Sequence, residues 1–488
     1  MVGRPQAGAA KQVLNQPDPP RPQTAPSGQP TRRDIVDNVP DSLPPGPPFP
    51  SWAQAALSGI RPPWYFRTCQ RRYGNIIRMR MPIAGEYIYL ADPEDVRTVF
   101  RGDPAVYHAG EANGSILEPI LGPASVLVTD EGAHLRQRRL MSPPFHGSSV
   151  RKQADLMAQI AADEIDRWPL GTAFPVLPSM RRLTLEVILR TVIGAEKDDR
   201  LDHLREVLPP VVDISLIDLI AVSAPRLRGH WPWTRLQSRR ARADQALYDE
   251  ISLCRADPSL DERTDVLAML VRATDEDGSS MNDSELRDQI MTLLLAGHET
   301  TATGLAWTLE RLTRHPDVLA RAQRAAIDDD DDYLDSVVTE SLRVRPVIAD
   351  VARLLTADVE LGGYRIPAGS VVAPAIMLIQ TDERTYPNAA GFVPERWDGQ
   401  HAEPFTWLPF GGGNRRCLGA AFATTEMRIV LKEILRRVDL ATTSAKGERT
   451  RIRHVTFVPA KGAVVTARRR REREPSAQTS ADATLRAG

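Results

Sequence analysis

The segment Phe410-Gly411-Gly412-Gly413-Asn414-Arg415-Arg416-Cys417-Leu418-Gly419 is the most informative part of this chain. It places one cysteine among glycines and arginines, directly before an apolar helical run. A free thiol is mostly protonated at neutral pH, but a helix N-terminus and nearby guanidinium groups favour its charged form. Glycines let a flat ligand approach the sulfur and let backbone N–H groups point at it. The segment therefore predicts that Cys417 functions as a thiolate.

The same segment resembles the haem-ligand loop of the cytochrome P-450 superfamily, whose pattern Phe-x-x-Gly-x-Arg-x-Cys-x-Gly matches Phe410, Gly413, Arg415, Cys417 and Gly419. The resemblance implies a haem-thiolate monooxygenase with Cys417 as the proximal ligand of haem b (heme b, iron protoporphyrin IX). A thiolate beneath haem iron donates electron density that favours cleavage of the O–O bond. The alternative is a glycine-rich turn with a structural cysteine, since lone cysteines usually behave as small hydrophobic residues.

A second motif lies upstream in residues 291–303 (MTLLLAGHETTAT), within a predicted helix over residues 284–315. Residues 296–301 resemble the family's Ala-Gly-x-Glu-Thr-Thr segment. The resemblance implies an opened helical turn over the iron, where Thr300 hydrogen-bonds dioxygen and Glu299 relays protons. An acid and an alcohol suit this role, because splitting dioxygen consumes two protons. A polar patch on an ordinary buried helix remains the alternative.

Glu340 and Arg343 lie at positions i and i+3 of a predicted helix, so their side chains share one face and can pair. The pattern gains weight from residues 394–397, which resemble the family's Pro-Glu-Arg-Phe loop with Trp397 in place of Phe. The resemblance implies a buried network of Glu340, Arg343 and Arg396 that holds the proximal haem face. We expect this network to be structural and not catalytic.

His134 and Arg138 lie at positions i and i+4 of a predicted short helix, so both side chains can point the same way. Haem carries two propionates, and Arg and His suit such anions. The soluble bacterial branch of the superfamily uses a His-x-x-x-Arg pair for this purpose. The resemblance therefore implies that His134 and Arg138 bind a propionate, with Arg353 and Arg415 as further contacts. The alternative is a basic, solvated helix.

Composition restricts the function classes. The 488-residue chain has a formal net charge of −1, which argues against nucleic-acid binding as its main role. Its three cysteines (Cys69, Cys254 and Cys417) are far apart, which favours a reducing, cytoplasmic location over a disulfide framework. The first forty residues lack the apolar run of a signal or anchor. We expect a soluble, bacterial-type protein with no transmembrane anchor.

The predicted organisation is one domain between two tails. These are a disordered Pro-rich tail over residues 1–42, a single haem-thiolate monooxygenase domain over residues 43–467 and a disordered C-terminal tail over residues 468–488. The domain is predicted to be mainly α with a smaller β region, an α+β fold. The resemblance implies the cytochrome P-450 fold, with the haem between the long central helix and a helix over residues 418–438, which follows the cysteine loop.

Local patterns predict the other elements. Residues 75–80 and 86–90 predict a β-hairpin. Helical periodicity predicts helices over residues 92–100, 153–168, 178–193, 243–254, 317–327 and 335–343. The acidic run at residues 328–332 predicts a solvated loop rather than a cation site, because such blocks repel one another.

The segments that line the substrate pocket in the family are markedly apolar here. They correspond to residues 110–124, 208–227, 347–351 and 455–458, together with the helix before Ala296. A mostly apolar pocket favours a lipophilic small-molecule substrate. The alternative is that these residues belong to the ordinary core.

Electron supply is predicted to come from other proteins, because too few residues follow Cys417 to form a fused reductase domain. The resemblance implies NAD(P)H as the source and a ferredoxin with its ferredoxin reductase as partners, docking near Arg415 and Arg416. One alternative is a haem-thiolate enzyme that is peroxide-driven or independent of redox partners. A less favoured one is a non-catalytic haem-binding sensor. Neither needs the pair Glu299 and Thr300.

Overall fold

The computed structural model describes residues 43–81, 85–195, 199–213, 217–218, 222 and 229–470. The helices are α1 Ser51–Ile60, α2 Pro62–Tyr73, α3 Pro93–Arg101, α4 Ala109–Leu121, α5 Glu131–Met141, α6 Gly147–Arg151, α7 Ala154–Ile165, α8 Leu177–Thr191, α9 Asp199–Val207, α10 Pro209–Val212, α11 Trp233–Ala256, α12 Val266–Arg272, α13 Asp283–Leu312, α14 Pro316–Ile327, α15 Asp331–Val344, α16 Ile376–Ile379 and α17 Ala420–Arg437. The strands are β1 Ile76–Met81, β2 Gly85–Leu90, β3 Tyr107–His108, β4 Ala173–Pro175, β5 Arg353–Leu355, β6 Val359–Leu361, β7 Tyr364–Ile366, β8 Val371–Pro374, β9 Val438–Ala441, β10 Thr450–Arg453, β11 Thr456–Pro459 and β12 Val464–Arg469. The tail predicted over residues 1–42 lies outside the described residues.

The long helix α13 passes through the centre of the fold. A capping box fixes its start: Asn282 Oδ1 accepts a hydrogen bond from the Glu285 N–H, and Glu285 Oε2 accepts one from the Asn282 N–H, both at 2.9 Å. The helix packs against α8, α11, α15 and α17, and most of its residues are buried. A helix enclosed on most sides does not need the one-sided apolar stripe of a surface helix. The prediction of one helix over residues 284–315 is confirmed, apart from its last turn.

The helix after the cysteine loop is α17, with Gly419 as its N-cap residue. It packs against α7, α14, α15 and α13. Gly304 of α13 lies so close to α17 that an added Cβ would be 3.0 Å from the Met427 Cε. The two helices expected to flank the cofactor are therefore direct neighbours.

The largest sheet has five strands in the order β1-β2-β8-β5-β3. Its antiparallel β1–β2 pair has Ile76 opposite Leu90, which confirms the predicted hairpin. Ile76 and Ile77 point to opposite faces of the sheet and belong to two separate apolar clusters. Strand β5 pairs with both β8 and β3, so it is an inner strand, and Arg353 at its start is buried. The fold is mainly α with a smaller β region, as predicted.

The acidic run at residues 328–332 begins as an exposed turn over residues 328–330, as predicted, and continues into the first turn of α15. Asp330 caps α15 by accepting a hydrogen bond from the Tyr333 N–H at 3.1 Å. Asp329 lies 2.6 Å from Lys432 Nζ on α17. Acidic side chains at a helix N-terminus are favoured by the helix dipole, and the cations of α17 offset their mutual repulsion.

Two other boundaries differ from the predictions. Helix α11 begins at Trp233, well before the predicted start at residue 243. Strand β12 continues to Arg469, beyond the predicted domain end at residue 467, because β9 pairs Arg469 with Val438 and Arg469 also lies 2.8 Å from Asp166. Among the described residues, no helix combines the length and apolar character needed to cross a bilayer.

Candidate active site

The cysteine loop is closed by one backbone hydrogen bond, in which the Cys417 N–H donates to the Phe410 carbonyl at 2.9 Å. Gly413 has a φ of 66°, a conformation that L side chains rarely adopt. A Cβ on Gly413 would lie 2.0 Å from the carbonyl oxygen of Phe100, at the end of α3. Gly413 is therefore required by packing within the protein. Gly419 differs, because a Cβ there would meet open space.

The Cys417 side chain is accessible even though protein surrounds the sulfur on most sides. Burial raises the pKa of the Cys417 thiol, while a hydrogen bond from the Gly419 N–H and the charges of Arg416 and Arg138 act in the opposite direction. Burial has the larger effect. The nearby guanidinium groups act in the expected direction but do not outweigh burial, and a coordinated metal cation would remove the proton.

Helix α13 has an open face at its centre, formed by Leu293, Ala296, Gly297 and Thr300, which keep accessible surface. These residues follow the spacing i, i+3, i+4 and i+7, so they lie on one side of the helix. The residues on either side of this stretch, from 286 to 292 and from 301 to 310, are all buried. An accessible face in the middle of a buried helix is typical of a helix that borders an internal space.

Thr300 lies on the open face, and its Oγ1 donates a hydrogen bond to the Ala296 carbonyl at 2.6 Å. A bond to the carbonyl one turn back is a common one for a threonine within a helix. The prediction of an opened turn, however, is wrong, because α13 runs without a break from Asp283 to Leu312. The threonine hydroxyl shares the carbonyl with the helical ladder and does not replace it.

Glu299 is buried and paired with Arg181 of α8. Arg181 Nη2 donates to Glu299 Oε1 at 2.6 Å. The Arg181 Nε and Glu299 Oε2 atoms are also 2.6 Å apart, but are poorly aligned for a hydrogen bond. Burial raises the pKa of Glu299, and the contact with Arg181 partly reverses this shift. The sequence analysis missed Arg181, because no local pattern links α8 to α13.

Four basic residues come together near the cysteine loop: His134, Arg138, Arg353 and Arg415. Burial, reinforced by the charges of Arg415 and Arg138, lowers the pKa of His134 to about 3. Burial also lowers the pKa values of Arg353 and Arg415 to about 10, with repulsion from a neighbouring guanidinium in each case. The carboxylate that opposes this repulsion is Asp130.

Arg138 makes no ion pair within the described part of the chain. Arg415, in contrast, is partly occupied: its guanidinium donates to the Val126 carbonyl at 3.1 Å, to the Thr129 carbonyl at 2.6 Å and to the Asp130 carboxylate. These bonds connect the cysteine loop to the start of α5. An excess of buried positive charge requires an anion, and the two propionates of haem would supply it. The residues present therefore fit haem.

The Glu340–Arg343 pair is fully buried, with 0% exposure of both side chains. Arg343 Nε and Nη2 each donate to the Glu340 carboxylate at 2.8 Å. Arg343 also donates to three backbone carbonyls, those of Gln380, Ala389 and Gly391. The pair therefore connects α15 to the irregular segment that leads to the cysteine loop.

Arg396 takes a smaller part in this network than the resemblance implied. Its Nε lies 3.7 Å from Glu340 Oε1, too far for a hydrogen bond, and its Nη2 donates instead to the Pro387 carbonyl at 3.0 Å. Besides Arg343, the side chain that hydrogen-bonds Glu340 is Trp397, whose Nε1 donates to Oε2 at 3.0 Å. The Trp in place of the family's Phe was the sequence signal for this bond, because only Trp has an N–H to donate.

The apolar segments expected to line the substrate pocket divide into two groups. Ile116, Leu117 and Ile348 keep accessible surface. The other group is at most 7% exposed and belongs to the packed core: Ile120, Val211, Val347 and Phe457. The predicted residues Ile214 and Leu216 lie outside the described residues. Only part of the predicted lining is therefore available to a ligand.

Comparison with known proteins shows which family this chain resembles. A sequence model of the family described as Cytochrome P450 matches residues 43–466. The chain is 51% identical to cytochrome P450 135B1 of Mycobacterium tuberculosis over 448 residues, 90% of this chain and 94% of that protein. It is 40% identical to cytochrome P450 135A1 of the same organism over 431 residues, 88% of this chain and 96% of that protein.

Solved structures have the same fold. Retinoic acid-bound cyanobacterial CYP120A1 matches with a TM-score of 0.75 and 22% identity, over 88% of this chain and 99% of that chain. The haem domain of cytochrome P450DA matches with a TM-score of 0.74 and 25% identity, over 88% of this chain and 98% of that chain. The resemblance carried by the cysteine loop is thus confirmed along most of the chain. The chain belongs to the cytochrome P450 family, whose members are haem-containing monooxygenases.

Proposed function

We propose that this chain inserts one oxygen atom of dioxygen into a lipophilic small molecule, by hydroxylation or epoxidation. The observation that carries the proposal is the position of Arg138. Its charge acts on the Cys417 sulfur and also on His134 and Arg415, so the accessible thiol and the basic cluster share a neighbour. A thiol beside an anion-binding cluster suits the iron and the propionates of one haem.

The proximal residues hold the cofactor and shape its loop. Cys417 would bind the iron, and the propionates would be held by His134, Arg138, Arg353 and Arg415. When bound, haem supplies the activation of dioxygen, and its thiolate ligand favours O–O cleavage. The Phe410 carbonyl fixes the backbone of Cys417, Gly413 allows the close contact with α3, and Gly419 donates its N–H to the sulfur.

Glu299 and Thr300 hold and deliver protons in this proposal. Because burial raises the pKa of Glu299, this carboxyl carries a proton at higher pH than an exposed glutamate does. Arg181 holds the carboxylate in one position. The Thr300 hydroxyl donates its own hydrogen to Ala296, so its lone pairs are free to accept a hydrogen bond from a proton-bearing group.

The network of Glu340, Arg343 and Arg396 is structural in this proposal. It fixes the segment before the cysteine loop, since Arg343 and Glu340 bond backbone groups of residues 380–393. Pocket residues with accessible apolar surface (Ile116, Leu117 and Ile348) support a lipophilic substrate.

Electrons reach this chain from NAD(P)H through a ferredoxin and its ferredoxin reductase, in the cytoplasm. Arg416 is exposed and is the contact that we propose for the acidic ferredoxin. Arg415 is not a contact in this proposal, because its side chain is only 10% exposed. The variant Arg416→Glu should raise the KM for ferredoxin, whereas Arg80→Glu, an exposed arginine of β1, should not. Equal KM values for the two variants would rule out this docking site.

The decisive experiment is the absorption spectrum of the reduced protein with carbon monoxide, compared with that of Cys417→Ser. A strongly red-shifted Soret band that the variant lacks would establish thiolate-ligated haem. A band typical of a neutral ligand in the unmodified protein would refute the proposal. Steady-state assays then separate the alternatives: turnover with peroxide alone indicates a partner-independent enzyme, and no turnover at all indicates a sensor.

A further inference from the structure

Two arginines from distant parts of the chain line one cavity. Arg67 of α2 and Arg345, directly after α15, both border a space of about 40 Å³. The other described residues that line it are apolar, apart from Thr381 and Thr450, and none of them is acidic. Arginine is rarely enclosed by protein unless its charge is paired, so two arginines at one cavity require an explanation.

The Arg345 guanidinium is enclosed but lacks an anionic partner. Its Nε is buried without a hydrogen-bond acceptor, and the side chain forms no ion pair within the described residues. The guanidinium carbon lies 5.0 Å from the centre of the Trp307 ring, a contact that attracts the cation but supplies no oxygen acceptor. Burial lowers the pKa of Arg345 to about 10, and the charges of Arg311 and Arg67 add to this shift.

The carboxylate that acts on Arg345 already has other partners. Glu310 opposes the shift in the pKa of Arg345, but it is 0% exposed and lies 2.5 Å from Arg311 and 3.3 Å from Arg314. Its Oε1 also accepts a hydrogen bond from the Glu448 N–H at 2.7 Å. One carboxylate cannot neutralise three guanidinium groups, so this part of the protein keeps an excess of positive charge.

Arg67 contributes the second guanidinium of the cavity. It forms no ion pair within the part of the chain that the structure describes. Burial lowers the pKa of Arg67 and the charge of Arg71 lowers it further, whereas Glu383 acts in the opposite direction. Glu383 is exposed, accepts a hydrogen bond from the Ala389 N–H at 3.1 Å and does not line the cavity. Thr450, at the start of β10, lines the cavity and has a hydroxyl that can donate to a ligand.

We propose that this cavity binds one oxyanion of the size of phosphate, held between Arg67 and Arg345. A water molecule needs about 10–15 Å³ of such space, so a cavity of about 40 Å³ has room for one small ion. Guanidinium groups bind the oxygens of phosphate in pairs of parallel hydrogen bonds, which a single-atom anion such as chloride cannot accept in the same way. The ion would join α2 to the end of α15.

Water is the alternative occupant of the cavity. Water molecules would accept hydrogen bonds from the N–H groups of Arg67 and Arg345. They would not neutralise either charge, so the repulsion between the two cations would remain. An oxyanion supplies both the acceptors and the opposite charge, and it is therefore the occupant that the cavity favours.

The test uses the full-length protein with bound haem, because the basic cluster around Arg138 would otherwise also attract anions. Calorimetric titration with sodium phosphate, at an ionic strength held constant with sodium chloride, should show one site per chain. Phosphate should also raise the urea midpoint of unfolding, since a ligand that binds the folded state stabilises it. Phenyl phosphate distinguishes two sources of the group: binding of inorganic phosphate alone identifies a free ion, and binding of both identifies the phosphoryl end of a larger molecule.

Two variants remove one guanidinium each from the cavity. Arg67→Gln and Arg345→Met should both raise the dissociation constant for phosphate at least about tenfold, because each loses charge-assisted hydrogen bonds. Arg72→Gln is the matched control: it removes an exposed arginine of α2 that does not line the cavity, and it should bind phosphate like the unmodified protein. In phosphate-free buffer both cavity variants should keep or raise the urea midpoint, because each relieves the repulsion between two enclosed cations.

Three results would overturn the proposal. The first is no heat of binding and no change of the urea midpoint with phosphate. The second is an equal shift of that midpoint with sodium chloride at the same ionic strength, which would indicate screening. The third is an equal dissociation constant for Arg67→Gln and Arg72→Gln, which would place the phosphate elsewhere. If Arg345→Met does not fold, Arg67→Gln decides the question alone, and neither readout depends on turnover.

Discussion

Replacing Glu340 with Gln tests whether the buried ion pair supports the cysteine loop. Glu340 accepts four hydrogen bonds: two from Arg343 at 2.8 Å, one from the Val393 N–H at 3.0 Å and one from Trp397 Nε1 at 3.0 Å. A glutamine has a single side-chain oxygen, so its NH₂ group must face hydrogen-bond donors. Arg343 meanwhile keeps its charge at 0% exposure, without an opposite charge beside it.

The expected loss follows from these contacts. Removing one partner of a buried ion pair costs about 3–5 kcal/mol, because the remaining charge is buried and unpaired. Three carbonyls still accept hydrogen bonds from Arg343, so we expect the lower end, about 3 kcal/mol. Trp397→Phe removes one hydrogen bond to the same carboxylate and should cost about 1.5–3 kcal/mol.

Urea denaturation of the haem-loaded protein, followed by circular dichroism, measures the free energy of unfolding. Glu86→Gln is the matched control, because Glu86 pairs with Arg80 at 2.9 Å and both side chains are about half exposed. Exposed pairs contribute only about 0–1 kcal/mol, so the control should be nearly as stable as the unmodified protein. Equal free energies of unfolding for Glu340→Gln and Glu86→Gln would refute the reasoning.

Three further predictions concern Thr300, the pair of Arg181 and Glu299, and the buried Glu426. Thr300→Val should lower the product formed per NAD(P)H consumed by about tenfold or more, because valine has no hydroxyl to take part in proton delivery. An unchanged ratio of product to NAD(P)H would contradict this role. Arg181→Leu should raise the pKa of Glu299 further, so the ionisation in the pH profile of turnover should move to higher pH. Glu299→Gln should abolish this ionisation. Glu426 is 1% exposed, and burial raises its pKa well above the ordinary value. The folded state therefore favours the protonated form, and stability is lost as the pH rises above the pKa of a free glutamate. Glu426→Gln should therefore be no more stable than the unmodified protein at pH 4 but more stable at pH 8, by about 1–3 kcal/mol in urea denaturation; a pH-independent difference would exclude this explanation.

Elements with local signals were predictable. The capping pair Asn282 and Glu285 and the hairpin around Ile76 and Leu90 each depend on residues close together in sequence. Their side chains and backbone interact over one turn or one strand pair, so the pattern of residues contains the answer. The same holds for the cysteine loop, whose closing bond spans only seven residues.

The partners of the site residues were not predictable in the same way. Arg181 pairs with Glu299 across 118 positions, and Arg415 bonds Asp130 across 285. Such contacts depend on which helices become neighbours, which no local pattern encodes. Arg396 is an example. The resemblance assigned it to Glu340, but the backbone path of its loop brings the indole Nε1–H of Trp397 closer to that carboxylate.

The amino-acid sequence alone was sufficient to indicate the family, the mainly α fold, the cysteine loop and the long helix α13. It could do so because ligand type, helix capping and hydrophobic period are properties of short segments. Only the packed structure decided the burial of the thiol, the ion pair between Arg181 and Glu299, the hydrogen bonds of Arg415 and the cavity that Arg67 and Arg345 share. Each of these depends on burial and on distances between segments far apart in the chain, and burial is a property of the assembled fold.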